Sequence, residues 1–371
     1  MVMRVILLIL FASIWKPGVL LSETTGHIDA GVGQVTVTKM LGGLDTPWAI
    51  GILPGGGYLV TERDGHLLFV RDGKASRVSG VPKVSAKGQG GLLDVMVPRD
   101  FGSTREIFLT FAKRQKGGAG TALAVGRLSA DGKRLNDVRV LFEMTGPNSG
   151  GRHFGSRVVE AHDGSLFVTI GERGDRNSAQ DVSNHNGTVV RIKRNGTVPR
   201  DNPFVGNPGR QPEIWSFGHR NPQGAALDRK GRLWIVEHGA QGGDEVNLIR
   251  KGANFGWPVI AYGVHYSGKK IGEGTTKLGM EQPKFYWDPS IAPSGLMIYS
   301  GKLWPRWKGD LFVGSLKFDY ISRLDGGSLR EVEKLSSKQA ERVRDIVEAP
   351  DGTIWFLSVG QGAVYRMSPN R

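Results

Sequence analysis

The chain has 371 residues, 55 of them glycine, a formal net charge of +14 and no cysteine. Without cysteine it can form neither a disulfide nor a thiolate metal site, so a bound metal would take oxygen or imidazole ligands. The lysines and arginines are spread along the chain without a long basic run or a recognisable nucleic-acid-binding module. We therefore expect a solvated basic surface that attracts an acidic partner or an anionic cofactor, and we do not expect the protein to bind nucleic acid.

The N-terminus carries an apolar run from Val5 to Trp15 that follows Arg4. This run is short for a transmembrane helix and is typical of the core of a secretory signal peptide, so we predict a signal peptide over residues 1–22. An uncleaved membrane anchor is the alternative. After cleavage we expect a periplasmic protein without stable membrane insertion, present as a monomer or a homodimer.

From about residue 34 the chain repeats one pattern, in which a glycine turn leads into an apolar or alternating strand and a second turn follows. These glycine-led strands begin near residues 57, 105, 164, 231, 309 and 352. Six such units predict an all-β fold, a six-bladed β-propeller with four-stranded antiparallel blades around a central channel; a pair of sandwiches is the alternative. We interpret the glycine-led strands as the inner strands of their blades. We also expect residues 34–40 to complete the last blade, and one domain over residues 30–371.

Three stretches with little strand character are predicted to be long loops, namely 144–156, 196–224 and 256–290. The densest group of polar residues lies nearby, within residues 213–258, at both ends of a predicted strand. Loops on a rigid scaffold often carry binding and catalytic residues, so we expect the candidate site there.

Two parts of that stretch suggest particular chemistry. Arg220 and Asn221 offer a fixed cation and an amide that would stabilise a developing oxyanion, or would only hold the loop in place. Residues 237–245 combine carboxylates, carbonyls and glycines, which suits a hard cation such as Ca²⁺. An acidic turn without a metal is the equally weighted alternative.

Further polar residues stand beside other predicted strands. His153 precedes one strand, and Gln89 stands in a glycine turn that enters another. Lys317 ends a third strand, and alternation would place Arg342 and Arg344 on one face of a fourth. Each could be an ordinary exposed strand end, but together these cations and amides suit a compact polyanionic ligand.

A series of motifs, taken in order, closely resembles the soluble glucose/sorbosone dehydrogenases. The motifs are HFGSRV (153–158), DGSLFVTIGERGD (163–175), EIWSFGHRNPQG (213–224), EHGAQGGDEVNLI (237–249), NFGWP (254–258), PSIAPSGLMIYSG (289–301), GDLFVGSLK (309–317) and RVRDIVEAPDG (342–352). The resemblance covers nearly all of the chain from about residue 40. It implies a periplasmic, six-bladed propeller enzyme that uses pyrroloquinoline quinone and Ca²⁺ to oxidise aldose sugars.

The resemblance also implies a mechanism. His153 is similar to the general base that takes the hydroxyl proton at the anomeric carbon of the sugar. Arg220 and Asn221 resemble the pair that contacts the quinone near its reactive carbonyl. Hydride transfer from C1 to that carbonyl would give a lactone and the reduced quinone, and an unidentified acceptor would take the electrons.

The same matches imply two sets of ligands. The further contacts to the quinone would come from Gln89, Ser290, Lys317, Arg342 and Arg344. The cofactor's calcium would be held by backbone carbonyls of Gly239 and Ala240, and a second, structural calcium site would include Glu245 and carbonyls near Ala261.

Three positions depart from the family pattern, and two of them affect the wall expected to contact the sugar. Arg152 stands where some relatives carry a carboxylate or an amide, and Asp288 replaces an aromatic residue of the glucose-oxidising relatives. Ala240 replaces a common proline, which is harmless if only its carbonyl binds. We therefore expect broad specificity for aldoses. A calcium-dependent propeller lactonase and a non-catalytic propeller that binds a partner or a carbohydrate are the alternative functions.

Overall fold

The computed structural model describes residues 24–370 as a closed ring of six antiparallel β-sheets, which confirms the predicted six-bladed propeller. The predicted signal peptide, residues 1–22, lies outside the described residues, and the domain limits 30–371 stay a prediction. Within residues 24–370 no helix is both long and apolar enough to cross a membrane. The helical turns are α1 (Phe101–Thr104) and three 3₁₀ turns, Arg176–Gln180, Pro305–Trp307 and Lys338–Ala340.

In each of the first three blades the strands follow chain order from the axis outwards. Blade 1 consists of β3 (Pro47–Ile52), β4 (Tyr58–Glu62), β5 (His66–Arg71) and β6 (Lys74–Arg77). Blade 2 consists of β7 (Leu92–Met96), β8 (Glu106–Gln115), β9 (Gly118–Leu128) and β10 (Leu135–Glu143). Blade 3 consists of β11 (Val158–Glu160), β12 (Leu166–Ile170), β13 (Thr188–Ile192) and β14 (Ile214–Phe217).

Blades 4 and 5 have the same order, and blade 6 closes the ring. Blade 4 consists of β15 (Pro222–Leu227), β16 (Leu233–Glu237), β17 (Asp244–Leu248) and β18 (Phe285–Trp287). Blade 5 consists of β19 (Pro293–Ile298), β20 (Leu311–Ser315), β21 (Tyr320–Leu324) and β22 (Glu331–Ser336). Blade 6 combines β23 (Val343–Glu348), β24 (Ile354–Ser358) and β25 (Ala363–Pro369) with the N-terminal strands β2 (Gly33–Leu41) and β1 (Thr24–Ala30).

The ring is closed by β2, which pairs antiparallel with β25, while β1 adds a fifth strand outside it. The prediction that residues 34–40 complete the last blade is therefore confirmed. Because the two ends of the described chain share one sheet, the first and last blades are held together by backbone hydrogen bonds.

The glycine-led strands predicted to be innermost are instead the second strands of their blades, so that interpretation was wrong. The innermost strands are β3, β7, β11, β15, β19 and β23, which contact one another around the axis. A second strand such as β16 (Leu-Trp-Ile-Val-Glu) is buried throughout because neighbouring blades cover it, and four of its five residues are accordingly apolar. An innermost strand such as β15 (Pro-Gln-Gly-Ala-Ala-Leu) carries small residues where six backbones approach one axis.

The hydrophobic core of the described residues is divided into six clusters, and each one lies between two neighbouring blades. For example, Trp234 and Val236 of blade 4 pack with Leu296 and Val313 of blade 5. At roughly 25 cal/mol per Å² of buried apolar surface, this packing stabilises the ring against separation of its blades.

The prediction of three long loops was correct for 144–156 and wrong in part for the other two. Residues 196–224 include β14 and the start of β15, and residues 256–290 include β18. These short strands carry no clear sequence pattern because each is only three to six residues long.

Candidate active site

Most of the predicted site residues share one position in the fold, just before an innermost strand. Gln89 precedes β7, His153 precedes β11, Asn221 precedes β15, Ser290 precedes β19 and Arg342 precedes β23. The innermost strands start at the same end of the ring, so residues that are far apart in sequence meet at one mouth of the channel.

One cavity at this mouth brings together four of the predicted cofactor contacts. Gln89, Asn221, Arg342 and Arg344 all line it, and the rest of its wall includes Thr46, Trp48, Arg63, Phe154, Gln223, His238 and Leu316. Its charged lining residues are cations, and the amides beside them are hydrogen-bond donors and acceptors. Such a lining suits an anion with several carboxylates.

The cations at this mouth are not fully satisfied by the protein. Among residues 24–370, the Nε atoms of Arg63 and Arg220 are buried without a hydrogen-bond partner. Burial, together with nearby Arg157, lowers the pKa of Arg344 to about 9. An anionic ligand would provide acceptors and a compensating charge, so these residues fit pyrroloquinoline quinone.

Arg344 is held in place by contacts to two residues of the cavity wall. One guanidinium nitrogen donates to Gln223 Oε1 at 2.8 Å, and its Cζ lies 4.6 Å from the centre of the Trp48 ring. Arg342 reaches the same cavity from a left-handed backbone conformation, with φ of 50°. The predicted convergence of these two arginines thus depends on an irregular strand start as well as on alternation.

His153 lies beside this cavity and is bound on both sides. Its backbone N–H donates to Gln89 Oε1 at 2.7 Å, and its ring Nδ1 lies 2.7 Å from Glu172 Oε2. The carboxylate fixes a proton on Nδ1, which leaves Nε2 free to accept one. Burial lowers the pKa of His153 below its usual value although Glu172 acts in the opposite direction, so the imidazole is neutral at pH 7.

Backbone geometry places His153 and Asn221 next to each other. His153 is in the left-handed region, with φ of 55°. Asn221 Oδ1 accepts hydrogen bonds from the Gly155 N–H at 3.1 Å and from the amide of Gln223 at 3.1 Å. Gly171 is required after β12, because a Cβ atom there would collide with the His153 carbonyl and lie 3.0 Å from Asn221 Oδ1.

Arg220 lies between this cavity and a second, smaller one. Its backbone N–H donates to Glu237 Oε2 at 2.7 Å, and its guanidinium lies 5.3 Å from the centre of the Trp257 ring. His238 lines both cavities, and its Nε2 lies 2.7 Å from the carbonyl oxygen of Pro293. Burial lowers the pKa of His238 to about 3, so this imidazole is neutral and adds no charge.

The smaller cavity is lined by residues of both predicted calcium sites, Gly239 and Ala240 from the site beside the cofactor and Glu245 and Ala261 from the structural site, together with Arg220 and Glu237. Burial and the neighbouring Glu237 raise the pKa of Glu245 to about 8. Two close, buried carboxylates need a compensating cation if both are to be ionised.

Two further observations test whether this cavity fits Ca²⁺. Asn247 donates to both Glu237 and Glu245, but its own Oδ1 is buried without a partner among the described residues. At Gly239 a Cβ atom would collide with the carbonyl oxygens of Gly242 and Gly243, so the turn keeps several backbone oxygens close together. An oxygen-rich donor set of this kind fits Ca²⁺.

Two predicted cofactor contacts lie outside the cavity walls. The Ser290 hydroxyl donates to Asp244 Oδ2 at 2.7 Å, so it supports the loop before β19. Lys317 is exposed, and its Nζ lies 4.9 Å from the centre of the Phe318 ring. Its neighbour Leu316 lines the main cavity, which puts Lys317 at the rim of the mouth.

Sequence reasoning missed several residues of the site. Glu172 stands two residues after β12, and a carboxylate just past a buried strand is a signal that could have identified it. Gln223 and His238 lie within the polar stretch 213–258, but nothing in the sequence assigns either of them a role. Nothing in the sequence distinguishes Arg63 or Trp48, which join the cavity only through the closure of the ring.

Carboxylates from different blades also face the channel below the cavity. Asp94 and Asp345 lie 3.1 and 2.9 Å from the guanidinium of Arg157, and all three side chains are buried. Arg157 also packs on Trp48, with its Cζ 4.3 Å from the ring centre. Arg157 pairs with both carboxylates, so this part of the channel is an ion-pair cluster, unlike the free carboxylates that a channel calcium site of a propeller lactonase would offer.

Comparison with known proteins agrees with this geometry. The family model for glucose/sorbosone dehydrogenase matches residues 44–366. The aldose sugar dehydrogenase YliI of Escherichia coli (strain K12) is 41% identical over 350 residues, which cover 92% of this chain and 94% of that protein.

Two solved structures are also similar. The apo-form of the soluble aldose sugar dehydrogenase of Escherichia coli has a TM-score of 0.88 at 40% identity, over 91% of this chain and 100% of that one. The PQQ-bound aldose sugar dehydrogenase of Streptomyces coelicolor has a TM-score of 0.75 at 25% identity, over 90% and 97%.

The fold and the site therefore define a propeller oxidoreductase with a cationic cavity at one mouth of its channel. The chain belongs to the glucose/sorbosone dehydrogenase family.

Proposed function

We propose that this protein oxidises aldose sugars at C1 to lactones, with pyrroloquinoline quinone and Ca²⁺ as cofactors. The observation that carries the proposal is the cavity in which Arg63, Arg342 and Arg344 meet the amides of Gln89 and Asn221. Three arginines on one wall suit a compact polycarboxylate, and a similar structure is described as PQQ-bound.

When bound, the quinone supplies the acceptor for the C1 hydride, and an external acceptor that is not identified takes the electrons onward. His153 accepts the proton of the C1 hydroxyl on Nε2, because Glu172 holds the other ring nitrogen. The positive charge that forms on the imidazole is stabilised by the same carboxylate. Arg220, next to Asn221, would supply the cation that stabilises the negative charge developing on the quinone.

Beside the cofactor, calcium would be held at the smaller cavity by backbone oxygens of Gly239 and Ala240, and Glu245 with carbonyls near Ala261 would belong to a second, structural calcium site. These ligands come from the two segments that pack against the Arg220 side chain, at His238 and at Trp257. Calcium binding would therefore also fix the position of Arg220. We further propose that the protein is exported to the periplasm, that its signal peptide is removed, and that it works as a monomer or a homodimer without stable membrane insertion.

The test is a titration of the purified protein with the quinone and Ca²⁺, in the presence of a dye acceptor and a panel of aldoses. We expect dye reduction that requires an aldose and both additions. Quinone binding without turnover on any aldose would contradict aldoses as substrates and draw attention to the exposed Arg152 and Asp288. No quinone binding would refute the proposal and favour the lactonase or a non-catalytic binding module.

A further inference from the structure

One group of basic residues lies at the end of the ring opposite the active site. Three segments of blades 3 and 4, residues 193–213, 228–232 and 249–252, carry nine lysines and arginines against three carboxylates. We call these segments the basic loops. They supply a surplus of six positive charges, out of a net charge of +14 for the whole chain.

The position of the basic loops follows from the strands that precede them. β13, β15 and β17 all start near the active site and end in a basic loop. With five or six residues per strand and about 3.3 Å per residue, the loops lie about 17–20 Å from the mouth that holds the cavity. A partner bound there would leave the sugar site open.

Contacts between blades bring the basic loops together into one surface. The Gly252 N–H donates to the carbonyl of Trp215 at 2.7 Å, and a Cβ atom at Gly252 would lie 3.3 Å from Pro203 Cβ. Lys251 Nζ lies 5.8 Å from the centre of the Trp215 ring. The third segment, 228–232, belongs to the same blade as residues 249–252 and lies at the same end of it.

Six cations of this surface are exposed and form no ion pair within residues 24–370: Lys193, Arg200, Arg210, Arg229, Lys230 and Lys251. The other three, Arg194, Arg232 and Arg250, are bound to carboxylates. Exposed like charges repel one another, so grouping six cations without carboxylate partners opposes folding electrostatically.

An apolar side chain stands among these charges on an ordered loop. Val205 is 40% exposed, while its neighbour Phe204 is buried against Phe217 with ring centres 6.1 Å apart. The side-chain amide of Asn202 donates to backbone carbonyls on both sides of the loop, including that of Arg191 at 2.8 Å. The loop therefore presents Val205 without first having to fold.

We propose that the basic loops bind the surface of a bilayer that contains anionic phospholipids. Clustered lysines and arginines attract anionic headgroups, and an exposed apolar side chain among them can enter the interface. An acidic electron-accepting protein would need the cofactor mouth, which faces the other way. The membrane contact would keep the enzyme at the bilayer surface while its active site faces solvent.

The first test is co-sedimentation of the full-length protein with phosphatidylcholine vesicles, with and without phosphatidylglycerol. The patch variant combines Arg200→Gln, Arg210→Gln, Arg229→Gln and Lys230→Gln. The control variant combines Lys74→Gln, Lys133→Gln, Lys308→Gln and Arg330→Gln, four exposed cations at the same end of the other blades. The two variants have equal net charge and the same N-terminus, and neutral vesicles measure any binding by the apolar N-terminal run.

We expect binding that depends on phosphatidylglycerol and weakens with salt. The patch variant should lose about 100- to 1,000-fold in partition coefficient, and the control variant at most about threefold. Equal losses would mean that diffuse net charge is responsible and would refute the proposal. Failure of the wild type to bind, or binding only to an acidic protein or nucleic acid, would also refute it.

A second test uses the absence of native cysteine. A polarity-sensitive dye is attached to Val205→Cys and, as the control, to Val332→Cys, which is 50% exposed in blade 5. Anionic vesicles should shift the emission of the first dye to shorter wavelength and leave the second unchanged. Equal shifts, or no shift at position 205, would contradict the proposed orientation. Neither test requires the quinone or turnover, so its outcome is independent of the proposed function.

Discussion

Replacing Glu172 with Gln removes the negative charge that contacts the proposed catalytic base, His153, while keeping the hydrogen bonds that this side chain accepts. Glu172 Oε2 accepts from His153 Nδ1 at 2.7 Å and also from the Gly174 N–H. The amide oxygen of a glutamine can take the same position and accept both bonds. The perturbation is therefore electrostatic and leaves the orientation of the imidazole unchanged.

The expected effect follows from the difference between a charged and a neutral acceptor. A hydrogen bond to a charged group contributes about 1.5–3 kcal/mol and a neutral one about 0.5–1.5 kcal/mol. The substitution therefore removes about 1–2 kcal/mol of stabilisation of the imidazolium that forms when His153 takes up the proton. Because this charge develops in the transition state, kcat should fall about 5- to 30-fold. Glu172 raises the pKa of His153, so its removal lowers that pKa further. Because the base works in its neutral form, the acid limb of the kcat profile should move to lower pH.

The assay is dye reduction by the holoenzyme over a range of pH, together with a quinone titration to show that the cofactor still binds. Glu213→Gln is the matched control, because Glu213 lies 3.3 Å from His185 Nε2 and forms a similar pair away from the cavity. If Glu172→Gln kept the wild-type kcat and acid limb, as Glu213→Gln should, the assignment of the His153–Glu172 pair to catalysis would be refuted.

Three further outcomes are expected. His153→Ala should lower kcat about 10²- to 10⁴-fold and leave quinone affinity nearly unchanged in a fluorescence titration, so equal losses of both would contradict a role as base. The pKa of Glu245 is raised to about 8, so between about pH 5 and pH 8 the metal-free folded protein holds a proton that the unfolded chain has lost. The melting temperature of the metal-free protein should therefore decrease as the pH rises from about 5 to 8. Added Ca²⁺ should raise the melting temperature more at pH 8 than at pH 5. Glu245→Gln should abolish both the pH dependence and the extra gain from Ca²⁺ at pH 8. Arg157→Leu should cost about 3–5 kcal/mol of unfolding free energy in urea. That loss of unfolding free energy should be smaller at pH 5 than at pH 8, because burial raises the pKa of Asp94 to about 6 and a protonated Asp94 needs no cation. A loss that does not depend on pH would argue against the ion pair between Arg157 and Asp94.

The sequence by itself determined the architecture, because the propeller repeats a simple local pattern six times. Each second strand is buried between blades, so strands such as β16 and β24 begin with four consecutive apolar residues and are easy to recognise. The pairing of residues 34–40 with the last blade could be predicted from the strand alternation of that segment. The motifs around His153 and Arg220 also identified the family before any geometry was known.

The tertiary structure decided which residues meet. The innermost strands differ in composition, from Pro-Gln-Gly-Ala-Ala-Leu in β15 to Val-Arg-Asp-Ile-Val-Glu in β23, so sequence could not show that the residues before them share one mouth. It could not pair His153 with Glu172, which follows a different strand of the same blade, or bring Arg63 into the cavity from blade 1. The basic residues likewise look dispersed along the chain, and they form one surface only because β13, β15 and β17 end at the same side of the ring.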